Sequence, residues 1–137
     1  MAERYPLQII TPERTVFEGE VESLVVPAAN GYLGVLAHHA PLMAALSAGE
    51  VSVTLADGVA QYYAITGGFL EVRRDGVTVL PDSAERPEEI DIARAEAARE
   101  RALRRLKELT ADTDLARAET ALRRATARLR VAARYRS

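Results

Sequence analysis

Apolar and polar positions change rhythm once along this chain, shortly after residue 80. Before that point they alternate with period two. Val51, Val53 and Leu55 alternate with polar neighbours ahead of Asp57-Gly58, and Tyr62 to Ile65 follow it. Phe69 to Val72 precede Asp75-Gly76, and Val77 to Leu80 follow. Leu7 to Ile10 and Leu24 to Val26 are earlier strand-like runs. Asn30-Gly31, Asp57-Gly58 and Asp75-Gly76 suit the positive-φ positions of tight hairpin turns. Short strands separated by such turns predict an antiparallel β-sandwich or barrel.

After residue 87 the period becomes that of a helix. Pro87-Glu88-Glu89-Ile90-Asp91 places a proline and acids where a first turn tolerates and favours them, predicting a helix from Glu88 to Leu109. Residues 110–114 break it, and Thr113 or Asp114 caps a second helix running to about Arg134. Ile92, Ala95, Ala102, Leu106 and Leu109, with Arg99 interrupting, face Leu115, Ala118, Leu122, Ala125, Leu129 and Ala132 in an antiparallel α-helical hairpin. Half of that seam is alanine. Each missing CH₂ costs ~0.8 kcal/mol of burial, so the hairpin is predicted to be marginal alone and able to open. The fold class is therefore α+β, with a sandwich domain over residues 1–84 and a helical hairpin domain over residues 85–137.

Composition supports this division. All 8 glycines lie at or before Gly76 and all 6 prolines at or before Pro87. Hydrophobic residues make up 48% of the 137 and charged residues 28%, a globular balance. The absence of cysteine excludes disulfides and thiolate metal sites. No apolar run approaches the ~20 residues of a membrane-spanning helix, and no signal-peptide core opens the chain, so a cytosolic protein is expected. Net charge is −2 but unevenly spread: −6 over residues 1–87, +4 over 88–137, and +6 from Leu115 onward.

No catalytic constellation is present. His38 and His39 are the only histidines, and neither has a nearby acid at metal-ligand spacing. Gly67-Gly68 lies between two strands and reads as a bend, not a phosphate loop. The arginines carry more. Asp91, Arg94 and Arg101 fall near one stripe of the first helix, and Arg124 and Arg128 share a face of the second. Across an antiparallel hairpin the four guanidiniums either form a solvated charged face or converge on a polyphosphate. Spacing alone leaves both open. A nucleic-acid binder is disfavoured by the acidic first module and by Tyr135 being the only aromatic after Phe69.

Three segments together resemble the epsilon subunit family of F-type ATP synthases, and the similarity covers nearly the whole chain. Ile10-Thr11-Pro12-Glu13-Arg14-Thr15-Val16-Phe17-Glu18-Gly19 is similar to the family's first hairpin. Gly31-Tyr32-Leu33-Gly34-Val35-Leu36-Ala37-His38-His39-Ala40-Pro41-Leu42 is similar to its G-x-L-G-(I/V)-L-P-x-H-x-P-L segment, with Ala37 in place of the usual Pro and Tyr32 where Glu is frequent. Gly67-Gly68-Phe69-Leu70-Glu71-Val72 resembles its GGFLEV strand.

The resemblance implies a ten-stranded sandwich followed by a helical hairpin, in a non-catalytic central-stalk subunit that needs no cofactor. The implied partners are the gamma subunit and the c-ring, with Tyr32, His38, His39 and Leu42 as rotor contacts. The alpha and beta catalytic subunits join them when the helices extend and block ATP hydrolysis. The implied location is the cytoplasmic side of the cell membrane, peripheral to it. Ile90-Asp91-Ile92-Ala93-Arg94-Ala95 matches the family's (I/L)-D-x-x-R-A motif for ATP. The resemblance therefore implies an ATP site of Glu85, Ile90, Asp91, Arg94, Ala95, Arg101, Arg124 and Arg128, with ATP favouring the folded-down hairpin. A free-standing nucleotide sensor is the alternative of a different class.

Overall fold

A computed structural model describes residues 3–136. Seven strands come first: β1 (Tyr5–Ile10), β2 (Thr15–Ala28), β3 (Gly31–Val35), β4 (Leu42–Leu55), β5 (Ala60–Arg73), β6 (Gly76–Pro81) and β7 (Ala84–Glu85). A 3₁₀ turn over Pro87–Glu89 leads into two helices, α1 (Ile92–Lys107) and α2 (Leu115–Arg136). Hairpins form at all three of the Asn-Gly and Asp-Gly turns.

Strands β2, β4 and β5 are each 14 residues long, which the short apolar runs of the sequence do not suggest. Each changes neighbours part-way and so serves two sheets. One sheet runs β3, the second half of β2, the second half of β4, the first half of β5, then β7. The other runs the first half of β2, β1, β6, the second half of β5, then the first half of β4. Counting shared halves separately gives the ten strands that the resemblance implies. Pairing is antiparallel throughout except between β1 and β6, which are parallel.

Eighteen buried side chains from the strands fill the space between the sheets; Leu7, Ile9, Leu24, Ile65 and Leu70 are almost fully enclosed. The Tyr5 hydroxyl donates to the Val35 carbonyl at 2.6 Å, satisfying its one polar atom, and burial raises its pKa. At Gly67 and Gly68 β5 exchanges β7 for β6 as its outer neighbour, with φ of 123° and 135°. At Gly68 a Cβ would lie 2.2 Å from the Leu80 carbonyl oxygen and 2.5 Å from Pro81 Cα. Only glycine supplies both that backbone conformation and that approach.

The helices differ from the sequence expectation at their ends. The chain is extended at Ile90 (φ −80°, ψ 126°), because Ile90 turns back into a small core with Ala64, Ala127, Val131 and Ala132. Helix α1 therefore starts at Ile92, not Glu88, with Asp91 as its cap: the Asp91 carboxylate accepts from the Arg94 N–H at 3.1 Å. It ends at Lys107, short of Leu109. Asp114 caps α2 by accepting from the Arg117 N–H at 3.0 Å. The interhelical seam is more alanine-rich than predicted. Ala95, Ala102, Ala118 and Ala125 are buried, whereas Leu109 and Leu115 at the loop that joins the helices are exposed.

Gly68→Ala combines a positive φ with a steric clash against backbone. It is expected to destabilise the sandwich by about 2–4 kcal/mol in urea unfolding. A loss under 0.5 kcal/mol would show that β5 does not need glycine where it changes partners.

Candidate functional site

Helix α2 lies across the outer face of the first sheet, against β4 and β5. Ala64 on β5 is paired with Glu50 on β4 to one side and Glu85 on β7 to the other. The two carboxylates thus flank a methyl group on one lateral row, their backbones two strand spacings or roughly 10 Å apart across the sheet. Ala127, Val131 and Ala132 pack with Ala64 and Ile90, while Tyr62 and Ile92 close the edges. Arg128 reaches Glu85 with its Nε at 2.5 Å. Arg134 grips Glu50 with two nitrogens, at 3.2 and 3.4 Å, and its guanidinium lies 4.7 Å above the Tyr62 ring. The paired Glu50 carboxylate raises the Arg134 pKa further, while the Glu50 side chain is only 12% exposed.

Beside this contact is a cavity of about 450 Å³ between β7, the turn before α1, α1 and α2. Glu85, Asp91, Arg94, Ala95, Arg101 and Arg128, all named from the sequence, line it. Ile90 is buried just behind, in the small core. Arg124, one turn earlier on α2, is exposed and outside this lining. Three guanidiniums converge, not four, and acids accompany them: Arg128 is paired with Glu85. Among the described residues no carboxylate lies within ion-pair distance of Arg94 or Arg101. These two are the guanidiniums open to an added anion.

Ser83, Glu89 and Ala98 also line the cavity and were not singled out from the sequence. Glu89 accepts from the Arg14 guanidinium and from the Arg86 N–H, each at 2.8 Å. The Arg14 bond is the first cause holding its carboxyl below the usual glutamate range, and the Arg86 bond is the second. The three-residue spacing of Arg86 and Glu89 at a helix entrance was the available signal. Ala98 lies between Arg94 and Arg101 on α1, where a small side chain leaves the space.

The four rotor-contact residues are not brought together. Tyr32 lies beside α2, lining a separate cleft, and its hydroxyl accepts from the Glu50 N–H at 3.3 Å. His38 and His39 are at the opposite end of β3, where His38 has φ 66° and pairs with Glu3. The His39 Nδ1 lies 2.7 Å from the Ala40 carbonyl oxygen. Leu42 begins β4 and packs partly into the sandwich core. Among the described residues no group of three His, Cys, Asp or Glu side chains is placed to hold a metal ion, and no helix is long and apolar enough to cross a membrane.

The family model for the beta-sandwich domain of the ATP synthase delta/epsilon chain matches residues 4–87, and that for its long alpha-helix domain matches residues 88–133. The chain belongs to the ATP synthase delta/epsilon chain family. It is 43% identical to the ATP synthase epsilon chain of Caldanaerobacter subterraneus subsp. tengcongensis over 137 residues, covering 100% of this chain and 99% of that one. It is 49% identical to the epsilon chain of Koribacter versatilis over 107 residues, 78% of this chain and 75% of the relative. Among solved structures, a chain of the Euglena gracilis mitochondrial ATP synthase, in a structure of its OSCP, F1 and c-ring, superposes with a TM-score of 0.81 at 24% identity. That match covers 95% of this chain and 81% of the other, and shows the shared fold. As an epsilon-type chain, the protein is a non-catalytic subunit of the F1 central stalk and not itself an enzyme.

Proposed function

We propose that this subunit couples rotation to ATP synthesis through its sandwich and restrains ATP hydrolysis through its helices, with ATP favouring the hairpin folded on the sandwich. The observation that carries the reading is the convergence of Arg94, Arg101 and Arg128 on one cavity bounded by both helices. A triphosphate there engages Arg94 and Arg101 directly and draws Arg128 from Glu85. Asp91, which keeps its role as helix cap, orients the first turn. The bound nucleotide bridges α1 and α2 and offsets their mutual repulsion. It binds the folded hairpin better than an extended one, so it shifts the population toward the folded form. When ATP is scarce, the extended helices carry the +6 segment toward the alpha and beta subunits.

The sandwich supplies the rotor side. On the outer face of the second sheet, Ala45, Phe69 and Leu80 form one exposed apolar row, with Met43 two residues along β4. Phe69 is 54% and Met43 63% exposed, an apolar surface of the kind that a permanent partner covers. This row suits the gamma subunit. The loops around Tyr32 and around His38 and His39, with the start of β4 at Leu42, are left for the c-ring and the rest of gamma. In this reading the subunit sits peripherally on the cytoplasmic side of the cell membrane, within a proton-translocating enzyme.

Two experiments test the proposal separately. By calorimetry, Arg94→Gln and Arg101→Gln should each weaken ATP binding by about one to two decades, the loss of one charge-assisted contact. Arg124→Gln should weaken it by only about threefold, because that exposed side chain must be ordered first. No heat at millimolar ATP, or wild-type affinity in Arg94→Gln, would remove the nucleotide. Phe69→Asp should leave ATP affinity unchanged and abolish recovery of the chain with gamma. Full recovery would place gamma elsewhere on the sandwich.

A further inference from the structure

On the flank of α2 opposite Arg128, a cleft of about 600 Å³ separates the helix from the β2–β3 turn and the middle of β4. Its floor is built from small residues in close approach. A Cβ at Gly49 would lie 2.6 Å from Pro27 Cβ and 3.2 Å from the Tyr32 hydroxyl, so only glycine lets these elements meet. Tyr32 is fixed by its hydroxyl, which accepts from the Glu50 N–H, yet the residue stays 55% exposed. The result is an aromatic face held in place but not covered.

The opposite wall belongs to α2. Arg123 and Arg130 are seven residues apart, so they stand on one stripe of the helix, both along the cleft. Among the described residues neither meets a carboxylate. Arg123 makes a 3.5 Å contact with the Thr120 hydroxyl, and the nearest acid in the lining, Glu50, is held by Arg134. Two guanidiniums without acids facing a fixed aromatic ring, over an apolar floor, is a combination with a specific complement.

We infer that this cleft is a second ligand site, for a small organic anion with a flat apolar body. The anionic group lies between Arg123 and Arg130, where guanidinium forks match phosphate, sulfonate or carboxylate oxygens. The flat body stacks on Tyr32 above Gly49 and against Ala127. The site exists only while α2 rests on the sandwich, since one wall is helix and the other is strand and turn. An occupant therefore holds the hairpin down independently of the cavity lined by Arg94 and Arg101.

The test is an NMR titration of the full chain with 1-naphthyl phosphate, run beside inorganic phosphate. Backbone shifts are expected to concentrate at Tyr32, Gly49, Arg123, Thr126 and Arg130. The double variant Arg123→Gln, Arg130→Gln should weaken binding at least about tenfold. Tyr32→Leu should narrow the gap between naphthyl phosphate and inorganic phosphate, and Arg94→Gln should leave the cleft shifts intact. Shifts confined to the Arg94 and Arg101 cavity overturn the assignment. So does a double variant that binds as tightly as the parent. Equal affinity for the two probes overturns the flat body as part of the specificity.

Discussion

The arrangement of the whole molecule depends on one lateral row of the first sheet, Glu50–Ala64–Glu85. The central methyl group is small enough for a helix to settle on it. The flanking carboxylates fix where that helix lies, because Arg134 and Arg128 reach one each. Val131, fully buried, and the alanines at 127 and 132 fill the space between. Moving α2 off this row would dissolve the small core around Ile90. It would also separate the arginines of the cavity and open the cleft beside Tyr32.

The same row makes the attachment weak by construction. Five residues form the small core beneath α2, against eighteen between the sheets, and three of the five are alanines. An alanine methyl contributes about 0.8 kcal/mol when buried, where a leucine or isoleucine contributes about 1.5–3. The two ion pairs add specificity of position more than strength, since Arg134 and Arg128 keep contact with water. Glu50 is the exception, nearly enclosed under Arg134, but a lifted helix would return its carboxylate to solvent, so no charge would be left both buried and unpaired. The main core of the sandwich, closed on itself through β1, contains no residue of either helix. A stable platform carrying a lightly held helix is what a reversible regulatory element requires.

Much of this was legible in the sequence, and the gaps have physical causes. Asn-Gly and Asp-Gly turns and period-two runs marked the hairpins, because turn chemistry is local. The sharing of β2, β4 and β5 between two sheets was hidden, since a strand that changes neighbours needs no break in its own pattern. Asp91 was legible as a helix-entry residue, but the extended Ile90 was not, because its conformation is set by the distant Val131. The arginine stripe on α1 was read correctly as one face. The pairing of the acids around it was not, because Glu85 is held by Arg128 on the other helix and Glu89 by Arg14, 75 residues away in sequence. Periodicity puts Leu109 and Leu115 in the seam, but α1 ends at Lys107 and both leucines are exposed at the loop that joins the helices. The docking face of α2 was missed because Ala127 and Val131, four residues apart, form a second apolar stripe beside the one that faces α1.

Whether α2 opens independently of the sandwich is measured most directly by native-state hydrogen exchange of the isolated chain. Amides around Val131 should exchange through a sub-global opening, at a lower free energy than amides at Val53, Ile65 and Leu70. Glu50→Gln combined with Glu85→Gln should lower protection in α2 and leave the strand amides unchanged. If α2 and the strands exchange at one common free energy, and the paired substitution lowers both together, the helix is an integral part of the sandwich and not a detachable element.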